Sequence, residues 1–195
     1  PIADGPIILN ANQKSLAGGT TVQKCMDFAQ KAVKSFDIPF LFMSYYNILF
    51  KYGVDRFIDT MHSNGIVGAI VPDLPPEEGG DYLDAMEKYH LSPIFIFSPT
   101  TPEERMVYLN SFGKGFVYCV ARKGVTGVET DFSTQLTEYL LKCRKATDLP
   151  LALGFGVKEV FTNFAGHIKE KFGAEPGFVT LNLPRLVGFL LDFGI

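Results

Sequence analysis

The chain has 195 residues, 47% of them apolar and 20% charged, which suits one globular domain with a real core. A formal charge of −3 and a pI near 5.6 exclude the basic surplus of a nucleic-acid or anionic-membrane binder. No apolar run reaches the length of a membrane span. The three cysteines, Cys25, Cys119 and Cys143, are widely spaced and fit a reducing, cytoplasmic setting better than a disulfide framework.

Along the chain one pattern returns. A helix is predicted for "TTVQKCMDFAQKAV" near the start. The apolar run "IPFLFMSYY" then precedes the amphipathic "GVDRFIDTMHSNG", and "IVGAIVPD" precedes "PPEEGGDYLDAMEKYH". "SPIFIFSP" leads into "TPEERMVYLNSFG", and "GFVYCVA" into "DFSTQLTEYLLKCRKATD". "PLALGFGV" leads into "KEVFTNFAGHIKEKFG", and "GFVTLN" into "LPRLVGFLLDFG". The apolar runs are nearly continuous, as strands buried on both faces of a parallel sheet are. Thr101, Pro102, Glu103 and Glu104 provide a cap, a first-turn proline and acids for one helix start, and Asp131 to Thr134 offer caps for another. Six strand-helix units result, in an α/β fold. An open doubly wound sheet and a TIM (β/α)8 barrel lacking two strands both accommodate them. Nothing resembling a linker divides residues 1–195, so a single barrel domain is expected.

In either architecture ligands gather at the carboxyl ends of the strands. Ser44 to Asn47, Pro72 to Pro75, Phe97 to Pro99, Arg122 to Gly127, and Gly154 to Gly156 stand there. Gly154 and Gly156 in "LGFGV" let backbone amides approach a phosphate, or simply make a tight turn. "GVTG" is a loop needing glycine dihedrals, or a lid in which Thr126 and Gly127 donate to a ligand. Tyr118 reads as a core residue of its strand or as a pocket wall with a polar tip. Asp4 in "PIADGP" suits an Asx turn, and Asp73 and Glu77 suit caps on the helix that follows them. His62, His90 and His167 lack metal spacing.

With these pieces placed, the chain resembles the tryptophan synthase alpha subunits. The resemblance runs from about Pro1 to Val157 through "PIADGPIILNAN", "PFLFMSYYNILFKYGVDRF", "GAIVPDLPPEE", "PIFIFSPTTPEER", "GFVYCVARKGVTG" and "LALGFGV". It implies a TIM barrel that cleaves indole-3-glycerol phosphate to indole and glyceraldehyde 3-phosphate without a cofactor of its own. It also implies a beta-subunit partner in an alpha2-beta2 heterotetramer, and pyridoxal phosphate belongs to that partner. Asp4 matches the catalytic aspartate that holds the indole nitrogen. Tyr45, Ile70, Ile96, Tyr118 and Thr126 match positions around the indole, and Gly127, Phe155 and Gly156 match part of the phosphate cradle. Arg122 opens the loop expected to close over the substrate.

The chain also departs from the family. The glutamate that protonates carbon 3 of the ring lies, in the family, in a strand upstream of "ADGP", and that segment is not among these residues. The tail, residues 160–195, resembles the family's beginning: "FVTL" fits the first strand, and "LLDFGI" is what precedes the glutamate strand. A circular permutation, ordered fragments joined across gaps, or a diverged carboxyl end each account for this, and the first two fit best. The competing functional reading is an inactive barrel fragment that retains anion or beta-subunit binding. Another phosphate-binding barrel lyase or isomerase is a further possibility, against which "ADGP" and the pocket matches count.

Overall fold

The computed structural model describes residues 6–120, 134–154 and 175–176. Seven strands are defined there: β1 (Leu41–Met43), β2 (Gly68–Ile70), β3 (Ser92–Ile94), β4 (Ile96–Phe97), β5 (Val117–Val120), β6 (Leu151–Gly154) and β7 (Glu175–Pro176). Between and before them run α1 (Pro6–Ala17), α2 (Val22–Ser35), α3 (Tyr46–Tyr52), α4 (Val54–Ser63), a 3-10 turn (Pro76–Glu78), α5 (Gly80–Lys88), α6 (Glu103–Asn110) and α7 (Thr134–Ala146).

Every strand pairing is parallel, in the orders β1-β2-β3 and β4-β5-β6-β7. Only Phe95 separates β3 from β4, and its carbonyl accepts from Tyr118 N–H at 3.0 Å. Residues 92–97 are therefore one run whose first half pairs with β2 and whose second half pairs with β5. Strand order thus follows chain order without reversal. A doubly wound sheet reverses its order at a switch point, whereas a (β/α) barrel does not. The open-sheet alternative is thereby set aside in favour of a partial barrel.

Several elements differ in detail from the expectation. The strand predicted through Tyr46 stops at Met43, and α3 begins at Tyr46. Gly53, at φ +91°, then separates α3 from α4, a backbone geometry that costs glycine nothing. The long amphipathic stretch after β2 divides into the 3-10 turn and α5, because Pro75, Pro76 and the Gly79-Gly80 pair interrupt it. Thr101 does not cap α6. Pro102 holds the cap position, and the Thr101 hydroxyl instead accepts from Ser98 N–H at 3.0 Å. The expected strand "GFVTLN", the helix before it and His167 lie outside the described residues. The residues that add to β6 are Glu175 and Pro176.

Alternation along the strands sorts the side chains onto two faces. Outward, Ala69 and Phe42 pack with Met26, Phe57, Ile58, Met61 and Met86 from α2, α4 and α5. Phe97, Val117, Cys119, Leu151 and Leu153 pack with Met106, Leu109, Leu140 and Cys143 from α6 and α7. Burial of each such large side chain is worth about 1.5–3 kcal/mol, so this outer layer fastens the helices to the sheet. Cys119 and Cys143 are buried, Cys25 is exposed, and all three are free thiols. Among the described residues no helix is long and apolar enough to cross a membrane.

Candidate active site

The inward face of the sheet carries a separate apolar cluster. Ile70, Ile94 and Tyr118 are buried in it, and Leu41, Ile96, Phe116 and Val120 pack against them. Register explains the grouping: Ile70 lies opposite Ile94, and Ile96 opposite Tyr118. Three of the residues matched to the indole pocket, Ile70, Ile96 and Tyr118, are thus brought together on one face.

Tyr118 is a buried core residue of β5. Its ring rests on the backbone of Gly154, where an added Cβ would stand 2.1 Å from the phenol oxygen and 2.3 Å from two ring carbons. Burial pushes the phenol above its ordinary value of 10, which keeps it a neutral donor. Gly154 thus serves as the seat for Tyr118, whatever its neighbours do with a phosphate.

Tyr45 stands two residues beyond the end of β1. Ser44 N–H donates to Ile70 O at 3.1 Å, continuing the β1–β2 ladder up to the residue before Tyr45. Tyr45 is extended (φ −86°, ψ 147°) and half-buried, and α3 begins at the next residue. The first amide of that helix, Tyr46 N–H, donates to Asp73 Oδ1 at 2.8 Å.

That bond corrects the reading of Asp73 and Glu77 as caps on their own helix. Asp73 caps α3, which begins 27 residues earlier. Glu77 meets Arg105 of α6 in a two-pronged pair, with Arg105 Nη2 3.0 Å from Oε2 and Nη1 on Oε1. The hydrogen bonds from Arg105, joined by a backbone hydrogen bond, pull the Glu77 carboxyl from its ordinary 4.5 down to about 2. A group depressed on folding adds stability that is present above its unfolded value and lost as pH falls through its folded one. The Glu77–Arg105 tie is therefore complete above pH 4.5 and released near pH 2. NMR titration of the Glu77 carboxyl is expected to give a midpoint near 2; a midpoint above 4 would show that the pair does not form in solution.

Further ties hold the neighbouring segments. Lys142 Nζ of α7 donates to Thr101 O at 2.6 Å, and the buried Tyr139 hydroxyl donates to Phe97 O at 2.7 Å. His62 packs near Tyr89 with ring centroids 5.3 Å apart. No group of three or more potential metal ligands forms among the described residues. Asp4, Arg122, Thr126, Gly127, Phe155 and Gly156 lie outside the described residues.

Unreversed parallel strands, alternating with helices and with an apolar, tyrosine-bearing cluster on one face, define a partial (β/α)-barrel protein. The sequence model for the tryptophan synthase alpha chain matches residues 1–167, and the chain belongs to that family. It is 62% identical over 159 residues to the tryptophan synthase alpha chain of Syntrophotalea carbinolica, and 64% identical over the same length to that of Desulforapulum autotrophicum. Each alignment covers 82% of this chain but 63% of the relative, so the chain spans less than two thirds of the length of these proteins. Among solved structures, one from Aquifex aeolicus superposes with a TM-score of 0.78 at 31% identity, covering 91% of this chain and 66% of that one. Mycobacterium tuberculosis tryptophan synthase gives 0.79 at 30% identity, covering 90% and 66%.

Proposed function

We propose that this chain performs the alpha reaction of tryptophan biosynthesis, the cleavage of indole-3-glycerol phosphate to indole and glyceraldehyde 3-phosphate. What carries the reading is the gathering of Ile70, Ile96 and Tyr118 into one inner cluster, in a chain 62–64% identical to proteins named for that role. The cluster offers a flat apolar surface suited to an indole ring, with the Tyr118 hydroxyl as its polar tip. Tyr45 and Thr126 complete the ring's surroundings. Backbone amides at Gly127, Phe155 and Gly156 take the phosphate, where no side chain obstructs the two glycines.

The chemistry then needs two groups. An acid adds a proton to carbon 3 of the ring, and positive charge spreads to the ring nitrogen. The Asp4 carboxylate accepts the ring N–H and stabilises that charge. The bond from carbon 3 to the glycerol chain breaks as the adjacent hydroxyl loses its proton. The electron pair returns to the ring, leaving indole and an aldehyde. No cofactor takes part, and the acid corresponds to the glutamate that the family carries upstream of "ADGP". That segment lies outside these 195 residues, so the full reaction requires a polypeptide that includes it.

The partner in this reading is the beta subunit, in an alpha2-beta2 assembly in the cytoplasm. Apolar exposure beside the site supports it: Phe50 is 69% and Ile48 37% exposed on α3, directly after Tyr45 and Tyr46. The test is indole release from indole-3-glycerol phosphate by the purified protein, with both ends fixed by peptide mapping. Equal amounts of indole and glyceraldehyde 3-phosphate are expected; substrate left intact by a folded protein overturns the proposal.

A further inference from the structure

We infer that Met43 is an oxidation site beside the inner cluster, where a peroxide turns an apolar side chain polar and weakens the binding of an indole ring. The consequence for indole rests on the functional reading above; the site of oxidation does not. Placement and exposure together carry the inference.

Placement follows from alternation along β1. Phe42 packs with the outer layer, whereas Leu41 packs against the inner cluster of Ile70, Ile94 and Tyr118. Met43, two residues beyond Leu41, shares that inner face and ends the strand on its carboxyl side. The register sets Met43 opposite Ile70, and Ile70 opposite Ile94. Neighbouring strands lie about 4.8 Å apart, so Met43 extends the apolar row of the cluster by one strand.

Exposure separates Met43 from the other methionines. The chain has five. Met26 is 1% exposed and Met61, Met86 and Met106 are 0%, all of them packed in the outer clusters between helices and sheet. Met43 is 50% exposed. A thioether reacts without first losing a proton, so access alone sorts the five. The Met43 sulfur lone pair attacks one oxygen of hydrogen peroxide, and the O–O bond breaks. The other oxygen takes a proton and leaves as water. Sulfur is oxidised by two electrons and the peroxide is reduced by two, leaving a sulfoxide. In water the new S–O dipole is hydrated and the fold is undisturbed. A flat apolar ring laid along Ile70 would strip that water and offer no donor in its place, at the cost of an unpaired polar group.

The protein is treated with graded hydrogen peroxide, and its methionine peptides are mapped by mass spectrometry. The indole dissociation constant and the melting curve are measured on the same samples. Met43→Leu, which removes the sulfur at similar volume, is carried alongside, and each protein is compared with its own untreated sample. Complete conversion of Met43 is expected before any other methionine is measurably oxidised. It should weaken indole about tenfold with the melting temperature unchanged. Peroxide should leave the affinity of Met43→Leu where it was. Methionine sulfoxide reductases of both stereospecificities, with dithiothreitol, should restore the oxidised wild type. Dithiothreitol alone, which repairs a reversibly oxidised thiol at the exposed Cys25, should not. Oxidation that starts at a buried methionine or spreads evenly overturns the proposal. So does unchanged indole affinity after full conversion of Met43, or an equal loss in Met43→Leu. Untreated protein that binds no indole overturns the functional reading, and the peptide map by itself still decides whether Met43 is the oxidation site.

Discussion

Alanine at Gly154 is expected to cut kcat/KM for indole release by about a hundredfold, the cost of misplacing a binding group by roughly an ångström. The cause is steric. The new Cβ would stand 2.1 Å from the Tyr118 hydroxyl oxygen and 2.3 Å from two ring carbons, distances at which atoms do not coexist. Either the ring swings off its seat into the cluster with Ile70 and Ile94, or β6 withdraws from β5, where Gly154 is paired with Val120. Both routes alter the wall on which the indole would lie, and overpacking of this kind also lowers stability by about 1–3 kcal/mol. Because two ring carbons would also lie far inside contact distance, Tyr118→Phe in the same chain does not relieve the clash. A Gly154→Ala protein with unchanged kcat/KM and melting temperature would show that Tyr118 is not held there.

Asp4→Asn is expected to lower indole release by about 10²–10⁴-fold while leaving the melting temperature unchanged, because a neutral amide cannot stabilise the cationic ring as a carboxylate does. Binding of glycerol phosphate should persist, since the proposed phosphate end relies on backbone amides rather than on Asp4. Steady-state kinetics with the two proteins side by side decide the matter. Retention of most activity in Asp4→Asn removes Asp4 from the mechanism.

The barrel was legible because its strands are buried on both faces, and so read as unbroken apolar runs spaced by amphipathic stretches. Five of the strand positions expected from those runs correspond to observed strands, and the sixth, "GFVTLN", lies outside the described residues. Ends of elements were less legible. Nothing in "FMSYYNILF" marks where the strand stops, because the cap that starts α3 comes from Asp73, distant in sequence. A cap borrowed from another unit leaves no local signature, so Asp73 and Glu77 read naturally as caps on their own helix. The same holds for Gly154. As one of a glycine pair it suggests an anion site, and only the parallel register of β5 and β6 reveals that it seats Tyr118. The grouping of Ile70, Ile96 and Tyr118 followed from the resemblance alone. Periodicity would have left all three as core residues.

The proposed seat of the indole ring is the inner cluster carried by β2, β4 and β5. NMR spectra of the protein, labelled at isoleucine methyls and tyrosine rings and titrated with indole, test it most directly. Shifts concentrated at Tyr45, Ile70, Ile96 and Tyr118, with the methyl of Ile58 in the outer layer unmoved, are the predicted result. Saturable shifts confined to the outer layer, or none at indole concentrations that saturate the assay, would contradict the account.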